Sequence, residues 1–438
     1  MTAKTALEHI YALPRFNRGE TMEPVAELLR ALREPQRALR FIHIAGTNGK
    51  GSVSAMCDAI LRESGMRVGL YTSPFINDFR ERFQIDGRPV NQTDFAQAAA
   101  YVLRALRRLP CADQLSQFDV VTAIGLVLFA RAGCEIVVLE CGLGGRLDAT
   151  NVIAPPDVAV MVNIGFDHTE LLGDSIEAIT AEKCGILKPG TGAFVCAPQD
   201  YPAAYRVAEE TAAANGIPTV IVPAKEIDIQ QCSLGQLCFS YRGTPYQSQL
   251  AAAYQARNAA TAIEAIRALS RSGLSVTEDA IVRGLRHAYI PARLELISMA
   301  PHILLDGAHN LDGLRALRTS IEAVAPYFAR LHCLVGMLRE KEPHKALSAF
   351  FSSPLIGERL ACVTTVTPPT PRACPAEELA KILRGIDTPP AQIRTSGSMQ
   401  EALAQCLADM QENDLLLCFG SLYSMGALRR LIQEHYQK

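Results

Sequence analysis

A glycine-rich segment around residue 50 has the residue types of a phosphate-binding loop. It follows an apolar strand pattern at 41–44, precedes a helical pattern at 52–64, and comprises Gly46, Thr47, Asn48, Gly49, Lys50, Gly51 and Ser52. Backbone N–H groups in such a turn, together with the positive end of the following helix, bind phosphate. Lys50 would contact the β- and γ-phosphates, and Ser52 could approach a metal ion. The segment departs from G-x-x-x-x-G-K-[ST], because only two residues separate Gly46 from Gly49 and Gly51 precedes Ser52.

A second chemical feature is a carboxylate at the end of another apolar run. Glu140 ends the run at 136–140, and ligands of open α/β sheets bind in the crevice at the carboxyl ends of the strands. Mg²⁺ prefers carboxylate, hydroxyl and phosphate oxygens and keeps several waters. We therefore predict a magnesium site made by Glu140, Ser73 and the phosphates of a nucleotide.

The surrounding elements indicate an α/β fold. Continuous apolar runs are typical of parallel strands buried on both faces, and they occur at 41–44, 68–71, 136–140 and 158–163, with helical patterns between them. Residues 201–253 are less regular. A new alternation begins at 303–305 and continues through strands at 331–335, 361–366 and 415–419. We expect a P-loop ATPase domain with a mostly parallel sheet at 1–295, and a smaller Rossmann-like α/β C-terminal domain at 296–438.

The composition of the chain argues against nucleic-acid and membrane partners. The 438 residues are 49% hydrophobic and 20% charged with a formal net charge of −2, which excludes a broad basic surface for nucleic acid or an anionic membrane. The 13 cysteines are scattered and never spaced as C-x-x-C, which favours a reducing compartment over a disulfide framework. The most apolar run, at 120–130, is too short to cross a bilayer. We expect a cytoplasmic monomer without nucleic-acid or membrane partners.

Several motifs resemble one enzyme family, and they follow in family order. Besides the loop at 46–52 they are Tyr71-Thr72-Ser73-Pro74, the run ECGLGGRLDATN at 140–151, Asp167-His168, Glu182-Lys183-Cys184-Gly185-Ile186 and Asp306-Gly307-Ala308-His309-Asn310. Together they resemble the folylpolyglutamate synthase and dihydrofolate synthase family of the Mur ligase superfamily. The run at 140–151 is the most specific of them.

The resemblance implies an ATP-dependent ligase that joins L-glutamate to a folate carboxylate through an acyl phosphate, and that also acts on dihydropteroate in some members. It implies Mg²⁺ bound by Ser73, Glu140 and His168, and a carbamylated Lys183 that stabilises the metal cluster as an anion. It assigns catalysis to Lys50, Lys183, His168 and Arg293. Nucleotide binding is assigned to the loop at 46–52 and to Asn258, Arg293, Asp306 and His309, and substrate binding to Ser116, Gln117, Phe118 and Asp119. From its residue type alone, Lys183 would be a cation at a helix end, and Asp306 a helix cap or a site residue.

The sequence departs from the family pattern at positions near the expected pterin site and near the expected ATP site. Asp119 stands where the family usually has glutamate, which is one methylene longer, so the preferred pterin is open. Ala252, Tyr254, Ala292 and Leu311 replace residues that are usually glycine, histidine, glycine and proline. The family's Asp-Lys-Asp element is present as Glu340-Lys341-Glu342, for which a solvated charged turn is the alternative.

Two other functions share some of these motifs. A Mur-type ligase acting on a muropeptide precursor would share the superfamily pattern, and a P-loop nucleotide-binding regulator without ligase activity would share the loop. The order of the motifs and the Arg293 and 306–310 elements favour the folate ligase.

Overall fold

The computed structural model describes residues 1–15 and 21–436 and divides into two compact units. One unit contains Met1–Ala224 and Arg257–Ala288, and the other contains Lys225–Ala256 and Tyr289–Lys438. These units differ from the predicted division at 295 and 296. Residues 225–256 group with the second unit for two reasons. The strand at Ile227–Ser233 packs on the helix at Leu311–Val324, and Cys232 and Ala252 belong to the apolar core of that unit.

An eight-stranded sheet forms the centre of the first unit, in the order β4-β3-β2-β5-β1-β6-β7-β8. Its strands are β1 (Phe41–Ala45), β2 (Val68–Tyr71), β3 (Phe83–Ile85), β4 (Arg88–Pro89), β5 (Ile136–Glu140), β6 (Val158–Met161), β7 (Ala193–Cys196) and β8 (Thr219–Ile221). Six neighbouring strands of the sheet are parallel, namely β2, β5, β1, β6, β7 and β8. β3 pairs antiparallel with β2, and β4 pairs antiparallel with β3. Every residue of β1, β2, β5 and β6 is buried, as expected for parallel strands covered on both faces.

Helices cover this sheet. They are α1 (Ala3–Tyr11), α2 (Glu23–Ala31), α3 (Lys50–Glu63), α4 (Gln92–Leu106), α5 (Gln117–Ala132), α6 (Thr169–Leu172), α7 (Ile176–Cys184), α8 (Pro202–Ala214), α9 (Gln255–Arg271) and α10 (Glu278–His287). Side chains of α1, α2, α4 and α5 share one apolar core with β2 and β5, and those of α7 and α8 share another with β6 and β7. Among the described residues, no helix is both long enough and apolar enough to cross a membrane.

The second unit contains two sheets. A three-stranded antiparallel sheet is formed by β9 (Ile227–Ser233), β10 (Gln236–Tyr241) and β11 (Thr244–Ser248). The larger sheet has the order β12-β13-β17-β14-β15-β16. Its strands are β12 (Glu295–Met299), β13 (His302–Leu305), β14 (Leu331–Val335), β15 (Leu360–Thr365), β16 (Ile393–Thr395) and β17 (Leu415–Phe419), and they are parallel except for β12. The helices are α11 (Leu311–Val324), α12 (Pro343–Phe351), α13 (Pro354–Arg359), α14 (Ala376–Arg384), α15 (Met399–Asp409) and α16 (Leu422–Tyr436).

The α/β fold predicted from the apolar runs is confirmed. Each strand predicted for the first sheet is present within two residues of its expected bounds, and the same holds for the strands after residue 300. The antiparallel edge made by β3 and β4 and the extent of the sheet made by β9 to β11 were not predicted. β3 and β4 have only three and two residues, and β9 is mostly exposed. These strands therefore lack the continuous apolar run that identifies a buried strand in a sequence.

Candidate active site

The glycine-rich loop lies between β1 and α3, as the sequence predicts. Gly46 and Gly49 have φ values of 145° and 103°, where a side chain would be strained. A Cβ atom on Gly46 would lie 2.2 Å from Val162 Cγ2, and one on Gly49 would lie 2.6 Å from the Asn258 side-chain oxygen. Close packing therefore requires both glycines, and it places Asn258 against the loop as expected for a nucleotide contact.

Backbone hydrogen bonds hold the loop against the segment that follows β6. The Asn163 carbonyl accepts from the N–H groups of Thr47 and Asn48 at 3.0 and 3.2 Å. Thr47 Oγ1 donates to the Gly165 carbonyl and accepts from its N–H, both at 3.1 Å. The segment that carries Asp167 and His168 is thereby fixed beside the phosphate loop. Within the described chain no side chain caps α3, so its first turn suits an anion.

Two lysine ammonium groups converge on the same loop carbonyl. Lys50 Nζ donates to the carbonyls of Gly46 and Thr47 at 3.0 and 3.2 Å, and Lys183 Nζ donates to the Gly46 carbonyl at 2.9 Å. Lys183 is only 4% exposed. Its burial, and then the charge of Lys50, lower the pKa of Lys183 to about 7. A large fraction of the Lys183 side chains is therefore the neutral, nucleophilic amine near neutral pH.

The predicted magnesium residues Ser73 and Glu140 are brought together by neighbouring parallel strands. Glu140 is the last residue of β5 and is 4% exposed, and its Oε2 accepts from the Ser73 N–H at 3.0 Å. In the described part of the chain, no three His, Cys, Asp or Glu side chains are grouped as a metal site. The protein oxygens here therefore suit an ion that takes most of its remaining ligands from phosphate and water.

His168 has a left-handed backbone, with φ 52°, immediately before the short helix α6. Its N–H donates to Asp167 Oδ1 at 2.9 Å, its ring Nε2 lies 3.7 Å from the same oxygen, and its side chain is 41% exposed. Such a backbone is uncommon for histidine and often marks a functional residue. His168 lies seven residues after the end of β6, and its role as a metal ligand stays a prediction.

The predicted substrate residues lie at the start of α5. Ser116 and Asp119 form a capping box: Asp119 Oδ2 accepts from the Ser116 N–H and hydroxyl at 2.8 and 2.7 Å, and Ser116 Oγ accepts from the Asp119 N–H. Burial raises the pKa of Asp119. Gln117 Nε2 donates to the Leu13 carbonyl at 2.9 Å. The capping role of Asp119 and the tethering role of Gln117 were not anticipated.

Phe118, the fourth predicted substrate residue, packs on the loop that follows Glu140. A Cβ atom on Gly142 would lie 2.4 Å from Phe118 Cζ, and the Phe118 and Tyr71 ring centroids are 6.0 Å apart. The backbone of Gly142 has ordinary torsions for a non-glycine residue, because its φ is not among the positive values. The absence of a side chain at Gly142 therefore serves to place Phe118.

We expect Gly142→Ala to raise KM for the folate substrate by about tenfold to a hundredfold, because small displacements of positioning groups have effects of this size. KM for ATP should stay unchanged. Steady-state kinetics with each substrate varied will measure both constants. Gly357→Ala is the matched control, since nothing lies within 4 Å of its added Cβ. Equal changes in both KM values would contradict the predicted role of Phe118 in substrate binding.

The remaining predicted residues belong to the second unit. Asp306, at the end of β13, is 1% exposed and accepts from Leu294 N and Tyr254 OH through Oδ2, and from Ala308 N through Oδ1. Burial raises the pKa of Asp306, and the nearby Arg293 opposes that shift. His309 Nδ1 donates to the Gly307 carbonyl at 2.7 Å.

Lys341 differs in burial from the two acidic residues beside it in the element at 340–342, which are exposed. Lys341 is 9% exposed, and Glu340 pairs with Arg372 at 2.7 Å. The burial of Lys341 is unusual for a surface turn, and the functional role of the element stays a prediction.

A buried network beneath the site was not predicted. His43 of β1 is fully buried; its Nε2 lies 2.9 Å from Thr150 Oγ1, and Thr150 Oγ1 donates to Asp148 Oδ1 at 2.5 Å. Because the hydroxyl proton of Thr150 goes to the carboxylate, its oxygen accepts from His43 Nε2–H. Burial, and then Lys188, lower the pKa of His43 to about 3, so the imidazole is neutral. The polar His43 inside an apolar strand was the sequence signal for this network.

We expect Thr150→Val to lower the free energy of unfolding by about 1–3 kcal/mol, because two buried hydrogen bonds of the hydroxyl are lost. Asp148 keeps the N–H groups of Leu143 and Thr150, and His43 Nε2 keeps Cys141 Sγ at 3.1 Å. Urea denaturation followed by circular dichroism will measure the loss. Thr180→Val is the control, since Thr180 is equally buried and donates only to the Ile176 carbonyl of its own helix. If the two variants lose the same stability, the network has no special contribution.

Comparisons with known proteins agree with this geometry. The Mur ligase middle domain family matches residues 44–266, and the Mur ligase glutamate ligase domain family matches residues 292–422. Folylpolyglutamate synthase of Lacticaseibacillus casei is 34% identical over 99% of this chain and 99% of its own length. Dihydrofolate synthase/folylpolyglutamate synthase of Escherichia coli K12 is 30% identical over 89% of this chain and 86% of its own.

Solved structures show the same architecture over the whole length. Mycobacterium tuberculosis folylpolyglutamate synthase complexed with ADP has a TM-score of 0.87 at 28% identity and covers 98% of each chain. E. coli FolC in complex with DHPP and ADP has a TM-score of 0.84 at 27% identity, and the match covers 100% of this chain and 99% of that one. Sequence and structure agree from end to end, and the chain therefore belongs to the folylpolyglutamate synthase family of the Mur ligases.

Proposed function

We propose that this protein is an ATP-dependent ligase that adds L-glutamate to a folate carboxylate, as a folylpolyglutamate synthase that also accepts dihydropteroate. The observation that carries the proposal is the phosphate loop on which Lys50, Lys183 and Asn258 converge, in a chain that matches folylpolyglutamate synthases over its full length. The relatives named above for ADP and DHPP complexes support the choice of nucleotide and pterin.

The reaction begins with attack of the folate carboxylate on the γ-phosphate of ATP. Carboxylate and phosphate are both anions, so the site must supply positive charge and fixed N–H donors. At the loop, Lys50 supplies the charge and the first turn of α3 supplies the N–H donors. Arg293 is the proposed second cation. ADP leaves, and the amino group of glutamate attacks the acyl phosphate and releases phosphate.

Mg²⁺ is the proposed metal. The donor set fits it, because Glu140 offers a buried carboxylate held by the Ser73 N–H, and carboxylate and hydroxyl oxygens are ligands that Mg²⁺ prefers. His168, which follows β6 of the same sheet, is the third proposed ligand. When bound, Mg²⁺ would neutralise charge on the phosphates of ATP. The Ser73–Glu140 hydrogen bond fixes one carboxylate oxygen and so orients the other.

Carbamylation of Lys183 is the proposed modification. The amine adds to CO₂ and loses one proton, which forms an N–C bond and an anionic carbamate. The neutral amine is the reactive form, and the pKa of about 7 makes it abundant at neutral pH. The product would exchange a buried cation beside the phosphate loop for an anion able to hold magnesium-bound water.

The choice between folate substrates rests on Asp119. Its capping hydrogen bonds occupy Oδ2, and its side chain is shorter than the family's glutamate, so a direct pterin contact would come from Oδ1. Phosphate release should be assayed with tetrahydrofolate and with dihydropteroate, each with and without L-glutamate. We expect glutamate-dependent release with both. A nucleotide-linked muropeptide is the negative control, and release with it alone would overturn the proposal.

We also propose the cellular compartment and the oligomeric state of the enzyme. All thirteen cysteines are free, as suits a reducing cytoplasm. We propose that the chain acts as a monomer, for which light scattering after size exclusion is the test. A dimer mass at micromolar concentration would contradict this part of the proposal.

A further inference from the structure

The turn that carries Arg293 is held in an unfavourable backbone conformation. Ala292 and Leu294, on either side of Arg293, have φ values of 55° and 50°. For residues with a side chain this left-handed region costs roughly 1–2 kcal/mol each. Such strain persists only where surrounding contacts enforce it, and it is concentrated at functional sites. The contacts that enforce it here are therefore candidates for a function.

Two carboxylates hold this turn from its two ends. Asp306 Oδ2 accepts from the Leu294 N–H at 2.7 Å, and Glu295 Oε2 accepts from the Ala292 N–H at 2.9 Å. The Ala292 carbonyl also accepts from the Gly307 N–H at 2.8 Å. Charge-assisted hydrogen bonds of this length are among the strong ones. The turn is thus fixed on both sides of Arg293.

Each carboxylate is in turn oriented by another side chain. Tyr254 OH donates to Asp306 Oδ2 at 3.1 Å. Glu295 Oε1 accepts from Tyr289 OH at 2.5 Å and pairs with Arg429 at 3.1 Å. Glu295 has an exposed side-chain fraction of only 7%. The two carboxylates therefore have little freedom to release the turn.

The result is a defined place for the Arg293 guanidinium. Its Nη1 donates to the Ala292 carbonyl at 3.1 Å, and a Cβ atom built on Gly307 would lie only 2.5 Å from that nitrogen. Gly307 has no positive φ, so alanine could adopt its backbone. The space left by the missing side chain is shared by the guanidinium and by Leu422, whose Cδ2 would lie 2.2 Å from the same Cβ atom.

We propose that Tyr254 and Glu295 are positioning residues for nucleotide binding, acting through the turn at 292–294 to hold Arg293 against Gly307. This inference rests on the proposed function, in which Arg293 contacts the phosphates of ATP. Loss of either residue would let the strained turn relax and would move the guanidinium away from phosphate. The effect would fall on ATP and leave folate recognition intact.

The test asks whether substitutions at Tyr254, Glu295 and Gly307 weaken nucleotide binding only when Arg293 is present. Tyr254→Phe, Glu295→Gln and Gly307→Ala are made in the native chain and in an Arg293→Ala background, with Tyr327→Phe as the control because Tyr327 is exposed. In the native background we expect KM for ATP and the Kd for MgADP to rise about fivefold to tenfold, since one hydrogen bond contributes about 1 kcal/mol. KM for folate should not change. In the Arg293→Ala background the same substitutions should have no further effect.

Effects that add fully to that of Arg293→Ala would overturn the proposal, as would a loss of thermal stability without a change in ATP binding. Tyr254→Phe removes one hydroxyl group and Glu295→Gln is isosteric, so these two variants keep the test valid if Gly307→Ala does not fold. MgADP titration separates this inference from the function itself. Coupled changes in nucleotide affinity would support the positioning role even if the native chain released no phosphate with folate, a result that would refute only the ligase assignment.

Discussion

Lys50→Ala is expected to lower kcat for glutamate ligation by about a thousandfold. Loss of one donor aimed at developing charge typically costs 10²–10³ in rate, and Lys50 also contributes a full positive charge. Its ammonium group now lies 3.0 Å from the Gly46 carbonyl and 3.2 Å from the Thr47 carbonyl, at the loop where the phosphates would bind. A thousandfold loss corresponds to about 4 kcal/mol of transition-state stabilisation.

Single-turnover kinetics with saturating ATP will separate this loss from weaker nucleotide binding. Lys345→Ala is the matched control, because Lys345 is exposed and pairs only with Glu342 three residues away. Its kcat should stay within about twofold of the native value, as is usual for surface pairs. Full turnover by Lys50→Ala would refute the role of the loop in phosphoryl transfer.

Lys183→Met should lower kcat by about a hundredfold or more. The substitution keeps a long side chain in a site that is 4% exposed, yet it removes the amine that would carry the carbamate. If Lys183 is unmodified, the substitution removes a buried cation from beside Lys50. It should then lower kcat little and should raise the free energy of unfolding. Steady-state kcat therefore distinguishes the two states of Lys183: a hundredfold loss supports the carbamate, and an unchanged kcat would contradict it.

Carbamylation itself should depend on pH in a definite sense. Because burial lowers the pKa of Lys183 to about 7, the neutral amine is the minor form at about pH 6 and the major form at about pH 8. At fixed dissolved CO₂, the carbamate population should rise across this interval. Carbon NMR with labelled bicarbonate will report it. The absence of a carbamate resonance in native protein at about pH 8, with Lys183→Met as the blank, would rule out the modification.

Much of the fold could be predicted because buried parallel strands have a simple signal. The runs that became β1, β5 and β17 are buried at every residue, so hydrophobicity alone locates them. In contrast, β9 is mostly exposed and β16 has only three residues. β9 pairs with β10, which follows it directly, and β16 pairs with β15 about 30 residues earlier. Neither strand has the continuous apolar run that locates a buried strand.

The site was predictable where a residue type has one strong chemical use. Lys50 lies at the phosphate loop, Glu140 at the end of β5 and Lys183 in the last turn of α7, where its Nζ donates to the Gly46 carbonyl. Asp119 was harder, because a capping box and a pterin contact use the same carboxylate. Tyr254 and Glu295 could not be assigned, since their roles arise only from hydrogen bonds across 52 and three residues of chain.

The most direct test of the proposed chemistry follows an oxygen atom. Folate labelled with ¹⁸O in the reacting carboxylate is incubated with the enzyme, ATP, Mg²⁺ and L-glutamate, and the released phosphate is analysed by mass spectrometry. Attack of the carboxylate on the γ-phosphate predicts that one labelled oxygen appears in phosphate for each glutamate joined. Unlabelled phosphate, released at the same rate with or without glutamate, would show hydrolysis by water and would contradict the acyl-phosphate ligase.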